Sequence, residues 1–310
     1  MSDAAPLFVS SGDLVADRRY AYARDFLARG DLAAAADVLE QALERAPDFA
    51  AAWFALGELR EQRGDAAGAI AAFRRAREAD PDDRLGAALH LMRLDAEALD
   101  AMPPAYVRAV FDQYAPRFDQ ALVEGLAYRG PQLLHAAVLA ARARQGRAAR
   151  FAHALDLGCG TGLAARAFAG EVDRWTGVDL SPGMVAQARA SGLYAGLHVG
   201  DMLALLRDRA EASADLVIAA DAVVYLPDHA ALWREAARVL AHDGVLAFTV
   251  ESHGGDGVVL GAKLRYAHGA AIVRRWLDEA GFAAVELSPA STRNEAGIAV
   301  PGLVVTAVRP

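Results

Sequence analysis

The stretch ALDLGCGTGLAARAF, residues 154–168, decides the fold of the second half of the chain. It runs from a short apolar strand pattern into a glycine-rich turn and then into a segment that favours helix. A strand, a glycine turn and a helix N-terminus together form a site for anions and nucleotides, because backbone N–H groups and the helix dipole converge there. We therefore expect a cofactor to bind at this turn.

The spacing of the glycines separates two classes of cofactor. A dinucleotide site follows the pattern G-x-G-x-x-G, so Gly158 and Gly160 would require a third glycine at position 163, where the chain has Leu163. The third glycine comes one residue earlier, at Gly162. This spacing disfavours a nicotinamide-dependent oxidoreductase. Asp156, at the end of the strand, can accept hydrogen bonds from a cationic group on the ligand.

Five segments in order resemble the motifs of class I S-adenosylmethionine-dependent methyltransferases. They are LDLGCGTG (155–162), GVDLSPGMVAQAR (177–189), VGDM (199–202), ADLVIAADAVVYLPD (214–228) and RVLAHDGVLAFTVES (238–252). The resemblance implies S-adenosylmethionine as the cofactor and an α/β fold with a seven-stranded Rossmann-like sheet. Methyl transfer from a sulfonium needs alignment of a nucleophile and exclusion of water, and no metal is expected.

The resemblance also implies roles for residues at the ends of the strands. Asp179 would accept the ribose hydroxyls, Asp201 the adenine amino group, and the loop at Asp221 would lie beside the transferring methyl group. The full predicted cofactor set is Asp156, Gly158, Cys159, Gly160, Thr161, Gly162, Asp179, Leu180, Met184, Gly200, Asp201, Met202, Asp221 and Ala222. Asp179 or Asp201 taken alone could equally be a helix N-cap. Cys159 could be a nucleophile, but no base is implied beside it, and we interpret it as a small filler of the turn.

The pattern after residue 151 predicts an α/β domain. Short apolar runs alternate with amphipathic helices, which is typical of a parallel sheet covered on both faces. The predicted strands are HALDLGC (153–159), WTGVDL (175–180), LHVGD (197–201), ADLVIAAD (214–221), GVLAFTVE (244–251), AAVELSPA (283–290) and GLVVTAV (302–308). The connection between the last two is too short for a helical crossover, so we expect an antiparallel pair.

The N-terminal third repeats itself with a period of 34 residues. Gly30-Asp31 recurs as Gly64-Asp65, and the proline after the second helix recurs at the same interval. Residues 16–83 resemble two tetratricopeptide repeats, followed by a degenerate third helix that would cap them. Such all-α repeats commonly bind proteins, so we expect a protein contact here.

A helical segment joins the repeats to the α/β domain. Within it, FDQYAPRFD (111–119) resembles the helical lid that precedes the first motif in many methyltransferases of small molecules. Tyr114 is the predicted aromatic over the cofactor, with Arg117 beside it. The alternative is ordinary helix packing, in which Phe111, Tyr114 and Phe118 face the core. The two interpretations stay open at this stage.

The acceptor side of the site is less well defined. The predicted substrate contacts are Tyr114, Arg117, Tyr225, Arg265, Tyr266 and His268, and the predicted catalytic residues are His268, Tyr114 and Asp221. His268 could act as a base near neutral pH, and Arg265 could pair with an acidic acceptor. A histidine in a loop is, however, more often a capping or solvated residue. The acceptor could be a small molecule or a protein.

Composition limits the remaining possibilities. The 310 residues carry a net charge of −8, so nucleic acid is a poor partner, and the single cysteine excludes an intrachain disulfide and a cysteine-based metal cluster. The arginine-rich stretch ARARQGRAARF (141–151) could be a patch that contacts nucleic acid or an acidic partner, or it could be the solvated face of a connecting helix. No secretory leader or membrane span is recognised, and a cytoplasmic protein is expected. The predicted boundaries are 1–15 tail, 16–98 repeats, 99–150 linker and lid, and 151–310 methyltransferase domain. The alternative to an enzyme is a scaffold that binds the cofactor with little turnover.

Overall fold

The computed structural model describes residues 10–120, 122 and 125–310, and most of the predicted 1–15 tail lies outside them. The chain divides into two compact units between Ala109 and Val110. This division falls inside the segment that the sequence assigns to linker and lid, and the predicted domain boundaries stay predictions.

The first unit is a stack of helices. Its helices are α1 (Leu14–Ala28), α2 (Leu32–Arg45), α3 (Ala50–Gln62), α4 (Ala66–Ala79) and α5 (Ala87–Arg93). Asp31 and Asp65, one repeat apart, each begin a second helix by accepting a hydrogen bond from a backbone N–H three residues on. A Cβ atom on Gly57 would lie 2.6 Å from the ring of Phe73, so the glycine lets α3 and α4 cross closely. The 34-residue period therefore corresponds to a repeated helix pair.

The second unit contains the sheet and its covering helices. The strands are β1 (Ala154–Leu157), β2 (Trp175–Asp179), β3 (Tyr194–Val199), β4 (Ala214–Ala219), β5 (Leu240–Ser252), β6 (Val258–Leu260), β7 (Tyr266–His268), β8 (Ala283–Ala290), β9 (Asn294–Glu295), β10 (Ile298–Ala299) and β11 (Gly302–Val308). The helices are α6 (Pro104–Tyr114, which crosses the division), α7 (Phe118–Gln120), α8 (Gly130–Arg144), α9 (Leu163–Ala167), α10 (Pro182–Ala190), α11 (Met202–Arg207), α12 (Ala230–Val239) and α13 (Ala270–Glu279).

The main sheet has the order β3-β2-β1-β4-β5-β11-β8, with β1 to β5 parallel and β11 antiparallel to both neighbours. The α/β fold and the antiparallel pairing of the last two predicted strands are thus confirmed. Within the described residues this sheet has nine strands, not seven, because β6 and β7 form a hairpin that joins the end of β5. The strand order reverses between β1 and β4, and the crevice above that point is where α/β sheets bind ligands.

The arginine-rich stretch is used inside the fold. Its arginines pair with acidic side chains or backbone oxygens of the same domain: Arg142 with Asp243, Arg144 with Glu286, Arg147 with Asp243 and Arg150 with Asp173. Arg142 is buried, whereas Arg144, Arg147 and Arg150 are exposed, so the solvated face applies to three of the four arginines. Among the described residues, no helix combines the length and the apolar character needed to cross a membrane.

Candidate functional site

The glycine turn lies at the carboxyl edge of the sheet, where the strand order reverses. Gly158 and Gly162 have φ angles of +73° and +95°, a region that favours glycine. A Cβ atom on Gly158 would lie 2.4 Å from the Cβ of Ala222, so the turn packs directly against the loop after β4. We call the backbone of this turn, residues 158–162, the glycine cradle.

Asp179 ties the end of β2 to the turn. Its Oδ2 accepts a hydrogen bond from the Gly160 N–H at 2.9 Å, and its Oδ1 accepts one from the Ser181 N–H at the same distance. Burial raises the pKa of Asp179, and the two amide donors act in the opposite direction. The carboxylate is thereby oriented at the edge of the cradle, and each oxygen keeps a lone pair for a further donor.

Asp156 is the most deeply buried acid at the site, with no exposed surface. Its Oδ2 accepts a hydrogen bond from the Tyr194 hydroxyl at 2.6 Å, whereas its Oδ1 has no hydrogen-bond partner among the described residues. Burial raises the pKa of Asp156 to about 7, the Tyr194 hydroxyl lowers it, and nearby Asp179 raises it further. An unpaired buried oxygen of this kind fits a cationic donor supplied by a ligand.

The remaining predicted cofactor residues divide into loop and core positions. Asp201 is exposed and caps α11, its Oδ1 accepting from the Ala204 N–H at 2.8 Å, so the N-cap interpretation applies to it. Met184 is fully buried in α10, which places its side chain in the core. The half-buried residues Leu180 and Gly200 lie in the loops that follow β2 and β3, and Met202, also half-buried, begins α11.

Cys159 and Thr161 lie inside the turn itself. The Cys159 side chain is 5% exposed, and burial raises the pKa of its thiol. A protonated, buried thiol is a poor nucleophile, which agrees with its interpretation as a filler. The Thr161 hydroxyl donates to the carboxylate of Asp119, a residue of the predicted lid.

The predicted lid lies against three of the loops around the cradle. The Ser181 hydroxyl, 2.5 Å away, and the Gly183 N–H, 3.0 Å away, both donate to Oδ1 of Asp112. The Phe111 ring packs edge-on against Tyr225, with the ring centroids 5.4 Å apart. The segment 111–119 therefore bridges the glycine turn, the start of α10 and the loop after β4. Sequence reasoning missed Asp112 and Asp119, although both lie within the quoted stretch.

Tyr114 and Arg117 lie on this segment and contact each other. The Arg117 guanidinium carbon is 5.8 Å from the centroid of the Tyr114 ring. Tyr114 is half-buried, and Arg117 is exposed. Their predicted contacts with cofactor and acceptor stay predictions.

An ionic cluster occupies the ends of β4, β5 and β9. It consists of Asp221, Glu251, Arg265, Arg293 and Glu295. The Arg293 side chain is 6% exposed and contacts all three acids, with Nη1 3.0 Å from Asp221 Oδ2. Asp221 has a φ of +51°, an unusual conformation for a residue with a side chain. Sequence reasoning missed Arg293.

Both carboxylate oxygens of Asp221 accept hydrogen bonds from neighbouring side chains. Thr249 donates to its Oδ1 at 2.5 Å, while Thr292 and Arg293 donate to its Oδ2 at 2.7 and 3.0 Å. These bonds fix the carboxylate and hold the loop that carries Ala222 against the glycine turn. The arrangement favours a role in shaping the loop over one in moving a proton.

The residues predicted in the β6–β7 hairpin are placed differently from expectation. Arg265 pairs with Glu251 and Glu295, so its charge is neutralised within the chain. Tyr266 and His268 are fully buried, because strand alternation in β7 turns both to the core and only Ala267 away from it. This burial disfavours Tyr266 and His268 as acceptor contacts, and the predicted acceptor site stays a prediction.

His268 is a core residue in this structure. Its Nε2 lies 3.0 Å from the Leu226 carbonyl oxygen, which can only accept, so Nε2 carries the proton. Burial lowers the pKa of His268 to about 4, and its ring lies 4.4 Å from that of His229. Both features disfavour a general base.

Comparisons with known proteins agree with this geometry. Residues 155–248 match a family model described as a methyltransferase domain, and residues 20–84 match one described as a tetratricopeptide repeat. The chain therefore contains a methyltransferase domain at residues 155–248. Tetratricopeptide repeats precede it, as the sequence predicts.

Curated relatives cover only part of the chain. A ubiquinone biosynthesis O-methyltransferase from Xylella fastidiosa is 32% identical over 98 residues, which are 31% of this chain and 40% of that protein. The aklanonic acid methyltransferase DauC from a Streptomyces species is 28% identical over 149 residues, 46% of this chain and 64% of that protein. The chain thus spans less than two thirds of the length of these relatives.

One of the similar solved structures is a 1,6-didemethyltoxoflavin-N1-methyltransferase from Burkholderia thailandensis, with S-adenosylhomocysteine bound. The TM-score is 0.49 at 21% identity, covering 69% of this chain and 92% of that one.

Proposed function

We propose that this protein transfers a methyl group from S-adenosylmethionine to an acceptor nucleophile, a small molecule or a protein. The observation that carries the proposal is the pair of buried carboxylates, Asp156 and Asp179, around the glycine cradle. One oxygen of Asp156 is unpaired, and Asp179 is fixed by two amides. Such a donor-seeking site suits a ligand with an ammonium group and a ribose.

In this proposal the chain holds and encloses the cofactor. Asp179 accepts from the ribose, Asp201 lies beside the adenine, Asp156 faces the amino-acid portion, and the loop at Ala222 borders the methyl group. When bound, the cofactor supplies a methyl group on a sulfonium, which is already activated toward nucleophiles. The segment 111–119 excludes water from the cradle, and this favours displacement at the methyl carbon over hydrolysis.

We also propose that the repeats hold a protein, which is either the methyl acceptor or a determinant of location. Support comes from the regular helix pairs of the first unit and from exposed apolar side chains on α1, where Leu14 is 77% and Tyr22 61% exposed. Exposed apolar residues on repeat helices commonly mark a binding surface. We further propose that the protein is cytoplasmic and that its domains have the boundaries predicted from the sequence.

Calorimetry on the full chain tests the cofactor. We expect S-adenosylhomocysteine to bind, NAD not to bind, and Asp179→Ala to weaken binding by about 1–3 kcal/mol through lost hydrogen bonds. The matched control is Asp173→Ala, because Asp173 makes an exposed surface ion pair. A wild-type chain that does not bind S-adenosylhomocysteine would refute the proposal.

Transfer of label from methyl-tritiated S-adenosylmethionine into a cell extract tests the reaction. Labelled product that disappears with Asp179→Ala would support methyl transfer. Cofactor binding with no label in any extract fraction would favour the scaffold alternative, in which the domain binds the cofactor with little turnover.

A further inference from the structure

Tyr194 reaches the cofactor cradle from two strands away. It begins β3, and its hydroxyl donates to Asp156 on β1, across the intervening strand β2. The contact joins residues 38 positions apart in the chain. Its donor lies next to the one oxygen of Asp156 that has no partner.

Two glycines make room for this side chain. A Cβ atom on Gly177, in β2, would lie 2.8 Å from Tyr194 Cε1, and one on Gly162, in the turn, would lie 3.0 Å from Tyr194 Cε2. Gly177 is also the direct neighbour of Asp156 in the sheet. The ring is therefore held between strand and turn, and its hydroxyl has little freedom to leave Asp156.

In the hydrogen bond between Tyr194 and Asp156, the tyrosine hydroxyl is the donor. Burial, with Asp156 next in importance, raises the pKa of Tyr194 above its ordinary value, so the phenol keeps its proton and acts as donor. One oxygen of Asp156 is thereby occupied, and the rotation of the carboxylate is fixed. The second oxygen, Oδ1, is left as a buried acceptor without a partner among the described residues.

We propose that Tyr194 is a positioning residue for the amino-acid portion of S-adenosylmethionine, acting through Asp156. The inference rests on the proposed function. The inference assigns different residues to the two halves of the ligand. Asp179 and Asp201 contact the adenosine half, and the Tyr194–Asp156 pair contacts the amino-acid half. Loss of the Tyr194 hydroxyl should therefore affect only ligands that carry the amino acid.

Calorimetry with two ligands tests this separation in the full chain. S-adenosylhomocysteine carries the amino acid, whereas 5′-methylthioadenosine has the same adenosine without it. Tyr194→Phe removes one hydroxyl and should weaken S-adenosylhomocysteine about tenfold, with 5′-methylthioadenosine unchanged. Asp156→Asn should give the same selective loss. The matched control is Tyr22→Phe, because Tyr22 is 61% exposed on α1.

The pH profile of binding gives a second readout. Asp156 has a raised pKa of about 7, and it is faced by the Tyr194 hydroxyl, by Asp179, by the Cys159 thiol and by Tyr128. Affinity for S-adenosylhomocysteine should rise between pH 6 and 8 as Asp156 ionises. Tyr194→Phe removes the donor that favours the carboxylate, so the rise should move to higher pH.

The outcomes are distinguishable. Selective loss of S-adenosylhomocysteine with a displaced pH profile supports the inference. Equal weakening of both ligands, or unchanged binding of both, overturns it, because the tyrosine would then be structural or unimportant. A wild-type chain that binds neither ligand refutes the proposed function itself.

Discussion

Replacing Arg293 by methionine should destabilise the second unit more than any other single change in the ionic cluster. The guanidinium is 6% exposed, and its three carboxylate partners, Asp221, Glu251 and Glu295, are 14%, 16% and 24% exposed. Methionine retains much of the apolar stem and leaves those carboxylates without their shared cation. Removing one partner of a buried ion pair costs about 3–5 kcal/mol.

The lower end of that range applies, because the acids keep some contact with water and Arg265 still neutralises two of them. About 3 kcal/mol corresponds to a fall in melting temperature of about 6–12 °C for a unit of roughly 200 residues. The control is Arg265→Met, because Arg265 does not contact Asp221 and is more exposed, at 19%. We expect that control to lose about 1 kcal/mol.

Thermal unfolding followed by tryptophan fluorescence measures both variants, since Trp233 and Trp276 lie in the core of this unit. Burial raises the pKa of Glu295, but Arg265 and Arg293 outweigh it and hold the pKa below 4.5. The cluster therefore stabilises the fold above pH 4.5, and its contribution is lost as pH falls below that value. The difference in melting temperature between wild type and Arg293→Met should be smaller at pH 4 than at pH 7. Equal melting temperatures at pH 7 would refute the reasoning.

Three further predictions address other parts of the domain. Gly158→Ala should abolish binding of S-adenosylhomocysteine, because a Cβ atom there would contact Ala222. The control is Gly146→Ala, because Gly146 also has a positive φ but has open space around it. Calorimetry should show normal binding for this control. His268 has a pKa of about 4 in the folded protein, below its value of 6.5 in the unfolded chain. Its own contribution to the free energy of unfolding should therefore fall by about 2 kcal/mol from pH 6.5 to 5. His268→Gln should reduce the slope of stability against pH, as measured by urea titrations. Asp119→Ala should release the segment 111–119 from the glycine turn and speed tryptic cleavage at Arg117 several-fold; an unchanged rate would contradict the contact.

Features carried by contiguous residues could be predicted from the sequence. The strand, turn and helix at 154–168 form one local unit, and the repeat period follows from glycine and aspartate pairs 34 residues apart. Both depend on backbone conformation and capping, which neighbouring residues decide.

Features that depend on distant pairs could not be predicted in this way. Tyr194 and Asp156 are 38 residues apart, and Arg293 and Asp221 are 72 apart. Neither pair leaves a local signature, because tyrosine at the start of a strand and arginine in a loop are both common. The one available signal for the first pair is Gly177, since a glycine inside a strand often marks a close approach by another group.

The same reasoning explains why the acceptor side was harder to predict than the cofactor side. The motifs of the cofactor side each lie in one contiguous loop after a parallel strand, so each can be recognised singly. In the proposed function, the acceptor side is the region where the hairpin at 253–269 and the loop at 291–301 meet the ends of β4 and β5. In RYAH, residues 265–268, the sequence shows three plausible polar contacts, Arg265, Tyr266 and His268, but strand β7 turns the last two inward. In this proposal, specificity for the acceptor depends on which side chains of these two segments face the glycine turn, and the pairing of distant strands determines that.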